Sequence, residues 1–378
     1  MNTLLSARVI PSLSVLALVI GCSSTSESLP DYNPATNAAA QADSFIYAEN
    51  EEYMKGVNKI GVMSCNVMFG MTSSASASTS GGFRAGATRA TGTVSRSDVK
   101  ISVTYTASGL EETELQRLAD QACENAELEL SNAGFELVPH SKIKTNKYYQ
   151  ELHAGGQASP FEFKGKGGTR YLVLGRNGET ISDPRYISTA SGFSQVFKSI
   201  GGDSSEQIED FLMKDLGMTG VNINLLIDFA SLQSDGDKSF AGLSNKDTAK
   251  VDASIQLSVS GDIRFQPITQ QKCWSEWGKE KCMVKPSHQP VFGSKRDVAS
   301  STIFYESIED ATTTADKVTS GLTKTLGFLS ALGGTSSSVA RDITRYQVNI
   351  IPTVYETESK KLTSGLVEMA ATKAVSKK

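Results

Sequence analysis

The chain has little of what most recognisable catalytic and metal sites are made from. Its 378 residues include only three histidines (His140, His153 and His288) and five cysteines, which leaves little material for a metal cluster. No HExxH, GxSxG elbow, Walker loop or EF-hand loop occurs. Gly165-Lys166-Gly167-Gly168 lacks a serine or threonine directly after its lysine, so it does not read as a phosphate loop. His140, beside Pro139, and His153, before Gly155-Gly156, read as surface residues near helix ends with no acid partner in sequence. Ser97-Asp98-Val99-Lys100 and Ser141-Lys142-Ile143-Lys144 fit SxxK, as a serine-rich chain should by chance. Excess positive charge is absent too: 37 basic against 41 acidic residues give a net charge of -4, which argues against nucleic acid as a partner. Beyond the N-terminus no apolar run approaches the ~18 residues of a helical membrane span. Apolar residues at 39% and charged residues at 21% are ordinary globular usage, so disorder throughout is excluded. No catalytic residue, metal ligand or cofactor is therefore proposed from the sequence.

What is present begins at the N-terminus. Met1 to Gly21 has Arg8 in a short polar start and an apolar stretch from Val9 to Ile20, shorter than the ~20 residues of a spanning helix. It ends in Val19-Ile20-Gly21-Cys22, which resembles the bacterial lipobox. The resemblance implies cleavage before Cys22 and attachment of lipid, with acyl chains such as palmitate, to that cysteine. Two or three chains anchor a protein stably where one holds only marginally. Ser23 after the cysteine implies, within that family, delivery to the outer membrane.

Residues 22–55, with Pro30 and Pro34 and no sustained periodicity, read as a polar tether. The folded part is expected over 56–378. Length divided by ~150 suggests two or three domains, or one large α/β unit. Lys59–Met63 is a short apolar strand. Residues 72–97, dominated by Gly, Ser, Ala and Thr, are either a flexible surface loop or a β-hairpin of small residues. Val99, Ile101, Val103 and Tyr105 then alternate with polar residues as a strand does. Ser108-Gly109-Leu110-Glu111 matches a capping box, and Leu115 to Ala133 form an apolar stripe that Gly134 closes. Strands at Phe135–Val138 and Tyr171–Leu174 flank a polar helix around Lys142–Leu152. Two long alternating stretches, 221–229 and 251–265, suit antiparallel strands, either in a soluble sheet or crossing a bilayer in a barrel. Val318, Leu322, Leu326, Leu329 and Leu332 form a helical stripe. Tyr346 to Val354, around Pro352, reads as an edge strand, and the C-terminal Gly365–Lys378 as a weak helix.

Within an insertion at 268–300, Cys273 and Cys282 flank both tryptophans, Trp274 and Trp277. In an oxidising compartment this spacing suits a disulfide closing a small hairpin; the tryptophans either form a binding platform or pack onto their own domain. Cys65 and Cys123 are either bonded to each other or two buried thiols.

The expected fold class is α/β (α+β): a mixed sheet with packed helices, long antiparallel strands and a disulfide-closed hairpin. The order of lipobox, tether, strand Lys59–Met63, helix Leu115–Ala133 and strand Phe135–Val138, with long strands later, resembles the curli secretion channel family of outer-membrane lipoproteins. That resemblance implies a periplasmic domain that forms a homo-oligomer or joins an envelope complex, at the outer membrane and on its periplasmic side.

Overall fold

The computed structural model describes residues 32–78, 97–165, 168–181, 205–237, 248–316 and 338–378. The lipobox with Cys22, the centre of the Gly/Ser-rich insertion and the stripe at 318–332 lie outside them.

Alternating apolar residues build one mixed sheet of twelve strands. Its path runs β1 (Ile46–Glu49), β11 (Val291–Ser294), β8 (Thr248–Gln266), β7 (Thr219–Asp237), β2 (Lys59–Ser78), β3 (Ser97–Ser108), β14 (Ser338–Ile350) and β13 (Tyr305–Asp310). Branching from it are β4 (Glu136–Leu137), β5 (Phe161–Lys164), β6 (Arg170–Leu174) and β12 (Val298–Ala299), while β9 (Lys272–Glu276) and β10 (Lys279–Met283) form a separate hairpin. Strand β2 is parallel to β7 and β4, and β3 is parallel to β14; the β7–β8 pair is antiparallel.

Helices cover both faces, because successive strand residues point opposite ways. On one face α2 (Glu112–Asn132) and α6 (Pro352–Val375) bury Leu115, Leu118, Leu130, Tyr355, Leu362 and Leu366 against Val62, Val67 and Leu225. On the other, α3 (His140–Lys144), α4 (Lys147–Ala154) and α5 (Ser205–Leu216) bury Ile143, Tyr149, Leu212 and Met213 around Met63. Central strands are therefore buried on both sides, and Val221, Ile223 and Phe229 are fully covered.

Helix α2 starts three residues later than the box read from the sequence. Its cap is Glu111, whose N–H donates to the Glu114 carboxylate at 3.0 Å. At its other end Gly134, at φ 107°, lets the Phe135 N–H reach the Leu130 carbonyl.

Several expectations are corrected. Of the tether read at 22–55, the described part, 32–55, is folded. Helix α1 (Ala38–Phe45), capped by Asn37, buries Ala38, Ala42 and Phe45, and β1 pairs with β11. Gly365 of α6 leaves the space that the Tyr32 ring fills. The alanine-rich tract around Ala38–Ala42 suggests a short helix in the sequence, and α1 is that helix, too short at eight residues to show a sustained period. The polar helix around 142–152 is two helices, broken where Asn146 caps α4 through the Tyr148 N–H. Strand β14 is not an edge, because β3 and β13 flank it. Pro352 is the first residue of α6, where a missing N–H is harmless, and that 24-residue helix belongs to the core.

Candidate functional site

The long strands form two antiparallel arms. Pairing between β2 and β7 ends at Phe69↔Ile227, and β2 pairs with β3 from Thr72↔Thr106. The β7–β8 pair continues to Asp237↔Thr248, so the sheet forks at the level of Gly70 and Asp228. Any Cβ at Gly70 would overlap the Asp228 carboxylate. A bulge offsets Asp228–Ala230 against Ser258–Ile255, and there Asp228 Oδ1 accepts the Phe229 N–H at 2.8 Å. Burial pushes the Asp228 carboxyl up to about 6, opposed by these amides. The bulge also lets Ala230 and Ile255 join Phe229 and Leu257 at one core. Residues 72–97 are thus β-arm at both ends, with β2 reaching Ser78 and β3 starting at Ser97.

Below the fork runs a buried polar row on the α5 side. Ser64 Oγ donates to Asn222 Oδ1 at 2.6 Å, Asn66 Nδ2 to Asn224 Oδ1 at 3.0 Å, and Asn224 Nδ2 to Asp262 Oδ1 at 3.1 Å. Burial pushes Asp262 up to about 6.

His140 and His153 do have polar partners. His140 opens α3, Tyr149 and His153 stand one turn apart on α4, and the turn before Ile181 brings Glu179 and Thr180 to them. Glu179 accepts from His140 Nε2 at 2.8 Å and from the Tyr149 hydroxyl, and these bonds hold its carboxyl down at about 2 against the effect of burial. Burial pushes the Tyr149 phenol up and His153 down. A carboxylate only accepts, so His140 carries its proton on Nε2. Thr180 donates to the His153 carbonyl at 2.7 Å, so His153 Nδ1 donates to Thr180 Oγ1 at 3.1 Å. The remaining ring nitrogens, His140 Nδ1 and His153 Nε2, are buried and have no hydrogen-bond partner among the described residues. A carboxylate-held histidine is the start of a general-base pair, but here the basic nitrogen is turned inward. No spacing in the sequence announces this cluster, because Glu179 lies 39 residues from His140.

The cysteines form two disulfides. Cys65–Cys123 ties β2 to α2 in the core, with Cα atoms 5.9 Å apart. That decides between the bonded and free alternatives. Cys273–Cys282 joins directly opposed residues of β9 and β10. Glu280 lies near both of those sulfurs, but sulfurs joined to each other are not thiolate ligands. At the hairpin tip Trp277 (φ 51°) and Gly278 (φ 76°) make the two-residue turn. Trp277 is 97% exposed and Trp274 44%, so neither packs onto the domain as a core residue would.

Neither a protein family, a curated protein nor a solved structure matches the chain.

Proposed function

We propose that the chain is a lipid-anchored envelope protein, a non-enzymatic structural or assembly component of an outer-membrane secretion or surface complex. The observation that carries this reading is the pair of antiparallel arms that leave the helix-covered layer at the Gly70–Asp228 fork. Strands of 19 and 20 residues are three to four times the usual ~5–6 and offer long edges for pairing with further copies or other envelope proteins. Two disulfides fit an oxidising compartment, and the lipobox resemblance at Cys22 supplies the anchor.

The native mass of the detergent-solubilised protein tests assembly, with several copies per particle as the expected result; a monomer at all concentrations would remove the oligomer. Cys22→Ser tests the anchor, since that chain should stay unprocessed and without acyl label.

A second reading, a periplasmic enzyme, has one observation in its favour, the His140–Glu179 pair. Its test is His140→Gln, which should leave function intact if the pair only ties α3 to the 175–181 turn. The surface-exposed binding lipoprotein, a third reading, is tested by protease shaving of intact cells.

A further inference from the structure

We infer that the β9–β10 hairpin is a contact site for an anionic lipid surface, with Trp277 as the group that enters the interface. The inference depends neither on the acyl anchor nor on membrane crossing by the long strands.

The choice of residue at the tip is the first ground. A two-residue turn with positive φ at both positions favours Asn-Gly or Asp-Gly, yet the first position is tryptophan at φ 51°. A bulky residue is strained there, and strain of this kind points to a use outside the fold. Trp277 gains no packing in return, being 97% exposed.

The surroundings identify the occupant. Register places Lys272 opposite Met283, Trp274 opposite Lys281, and Glu276 opposite Lys279, all on one face that runs up to the tip. Segment 272–285 holds four lysines (272, 279, 281, 285) and two glutamates (276, 280) in a chain of net charge -4, and Glu280 is already paired with Lys214 of α5. A protein hot spot needs a rim that excludes water, whereas the neighbours of Trp277 are Glu276, Gly278 and Lys279. A headgroup layer needs no rim. It accepts an indole ring with its N–H toward water, and lysine stems lie along it with their ammonium groups at the phosphates. The hairpin follows Gln266, the helix-covered end of β8, so this contact would set the layered domain, rather than the arm ends near Thr248, against the bilayer.

Both tryptophans of the chain lie in the hairpin, so intrinsic emission reports on it alone. The full chain is mixed with vesicles of phosphatidylcholine, with or without phosphatidylglycerol, carrying brominated acyl chains. Bromine reads the depth of the indoles however the protein is held to the vesicle. The expected result is a blue shift and quenching with anionic vesicles and much less with neutral ones. Trp277→Asn should lose most of the quenching with a thermal melt no lower than that of the unchanged chain, and Lys272→Gln with Lys279→Gln should bring the anionic response toward the neutral one. Unquenched emission with anionic vesicles, or equal quenching in the Trp277→Asn chain, would overturn the inference. So would a blue shift that needs no lipid and grows with protein concentration, which would assign the tip to a second copy.

Discussion

Two disulfides sit in opposite surroundings, and the contrast separates what holds this molecule together from what it presents. Cys65–Cys123 spans 58 residues and joins two buried sulfurs where the apolar stripe of α2 lies on β2. Cys273–Cys282 spans nine and closes a hairpin whose first strand is exposed at every position. Loop-closure entropy favours the first by about 1.6 kcal/mol, roughly 4.2 against 2.6 kcal/mol. Their neighbours differ far more. Around the first, the buried faces of β2 and α2 share one core; around the second, Cys282 is buried but β9 is exposed throughout, and the bond supports a five-residue strand pair too small to build a core of its own.

The strongest way to break the contrast is to charge the covered region. Leu257 is fully buried in the cluster that contains Cys65. Leu257→Lys forfeits the ~2–5 kcal/mol typical of truncating a buried leucine and adds an uncompensated buried ammonium. Against a typical total of ~5–15 kcal/mol, the domain should unfold in water without any membrane. A soluble Leu257→Lys chain with unchanged melting would instead mean that this side chain faces lipid in a barrel.

Removing the bonds comes next. Cys65→Ala with Cys123→Ala should lower the unfolding free energy by about 4 kcal/mol, measured by denaturant titration. The hairpin pair should cost less and be reduced first. Mild dithiothreitol without denaturant, followed by thiol labelling and peptide mapping, should modify the exposed Cys273 first, while Cys65 and Cys123, both buried, stay protected. Labelling in the reverse order would contradict the burial described here.

The sequence showed the contrast unevenly. Leu115 to Leu130 and Val221 to Phe229 announce themselves by period, and both are core. The Cys273–Cys282 pair was legible from its spacing. Helix α6 was nearly invisible, because a helix buried on most sides has no polar face to mark its turn, and Pro352 points equally to a strand edge or a helix start. Asn222, Asn224 and Asp262 look like the wet face of an amphipathic strand; they are a dry row, since helices cover that face as well. Glu179 reaches His140 through a turn whose return path no local pattern encodes.

That dry row predicts a pH effect of intermediate size. Asp262 sits at about 6 in the folded chain against an ordinary 3.8, so between those values the folded state holds its proton more tightly than the unfolded chain. Unfolding free energy therefore falls as pH rises through this window and stays lower above it, by up to ~3 kcal/mol for two units. Asp228 acts in the same direction. His153, pushed down by burial, acts oppositely below its ordinary 6.5. Glu179, held at about 2, contributes stability above its ordinary 4.5 that is lost only as pH falls toward 2. The difference between wild type and Asp262→Asn isolates the one group, since the Asn224 amide can still donate to the new side chain. Asp262→Asn should be about 1–3 kcal/mol more stable at pH 7, with the gain vanishing near pH 4. An equal gain at both pH values would show that the carboxylate charge is not the cause.

The smallest effect belongs to the exposed region and has the opposite sign from an ordinary aromatic loss. Removing a packed tryptophan costs about 3–5 kcal/mol, but Trp277 has no packing to lose. Trp277→Asn puts at φ 51° a residue that tolerates the left-handed region and forms the preferred Asn-Gly pair with Gly278. Relief of the strained turn should raise stability by a few tenths to ~1 kcal/mol. The hairpin bond masks part of this, because it holds the two strands together whatever the turn prefers. The gain should therefore be larger in a chain that also carries Cys273→Ser and Cys282→Ser. Comparing the four proteins in parallel melts checks both statements. Destabilisation by Trp277→Asn in either background would mean that the indole packs after all, and that the hairpin is held by its side chains as the buried layer is.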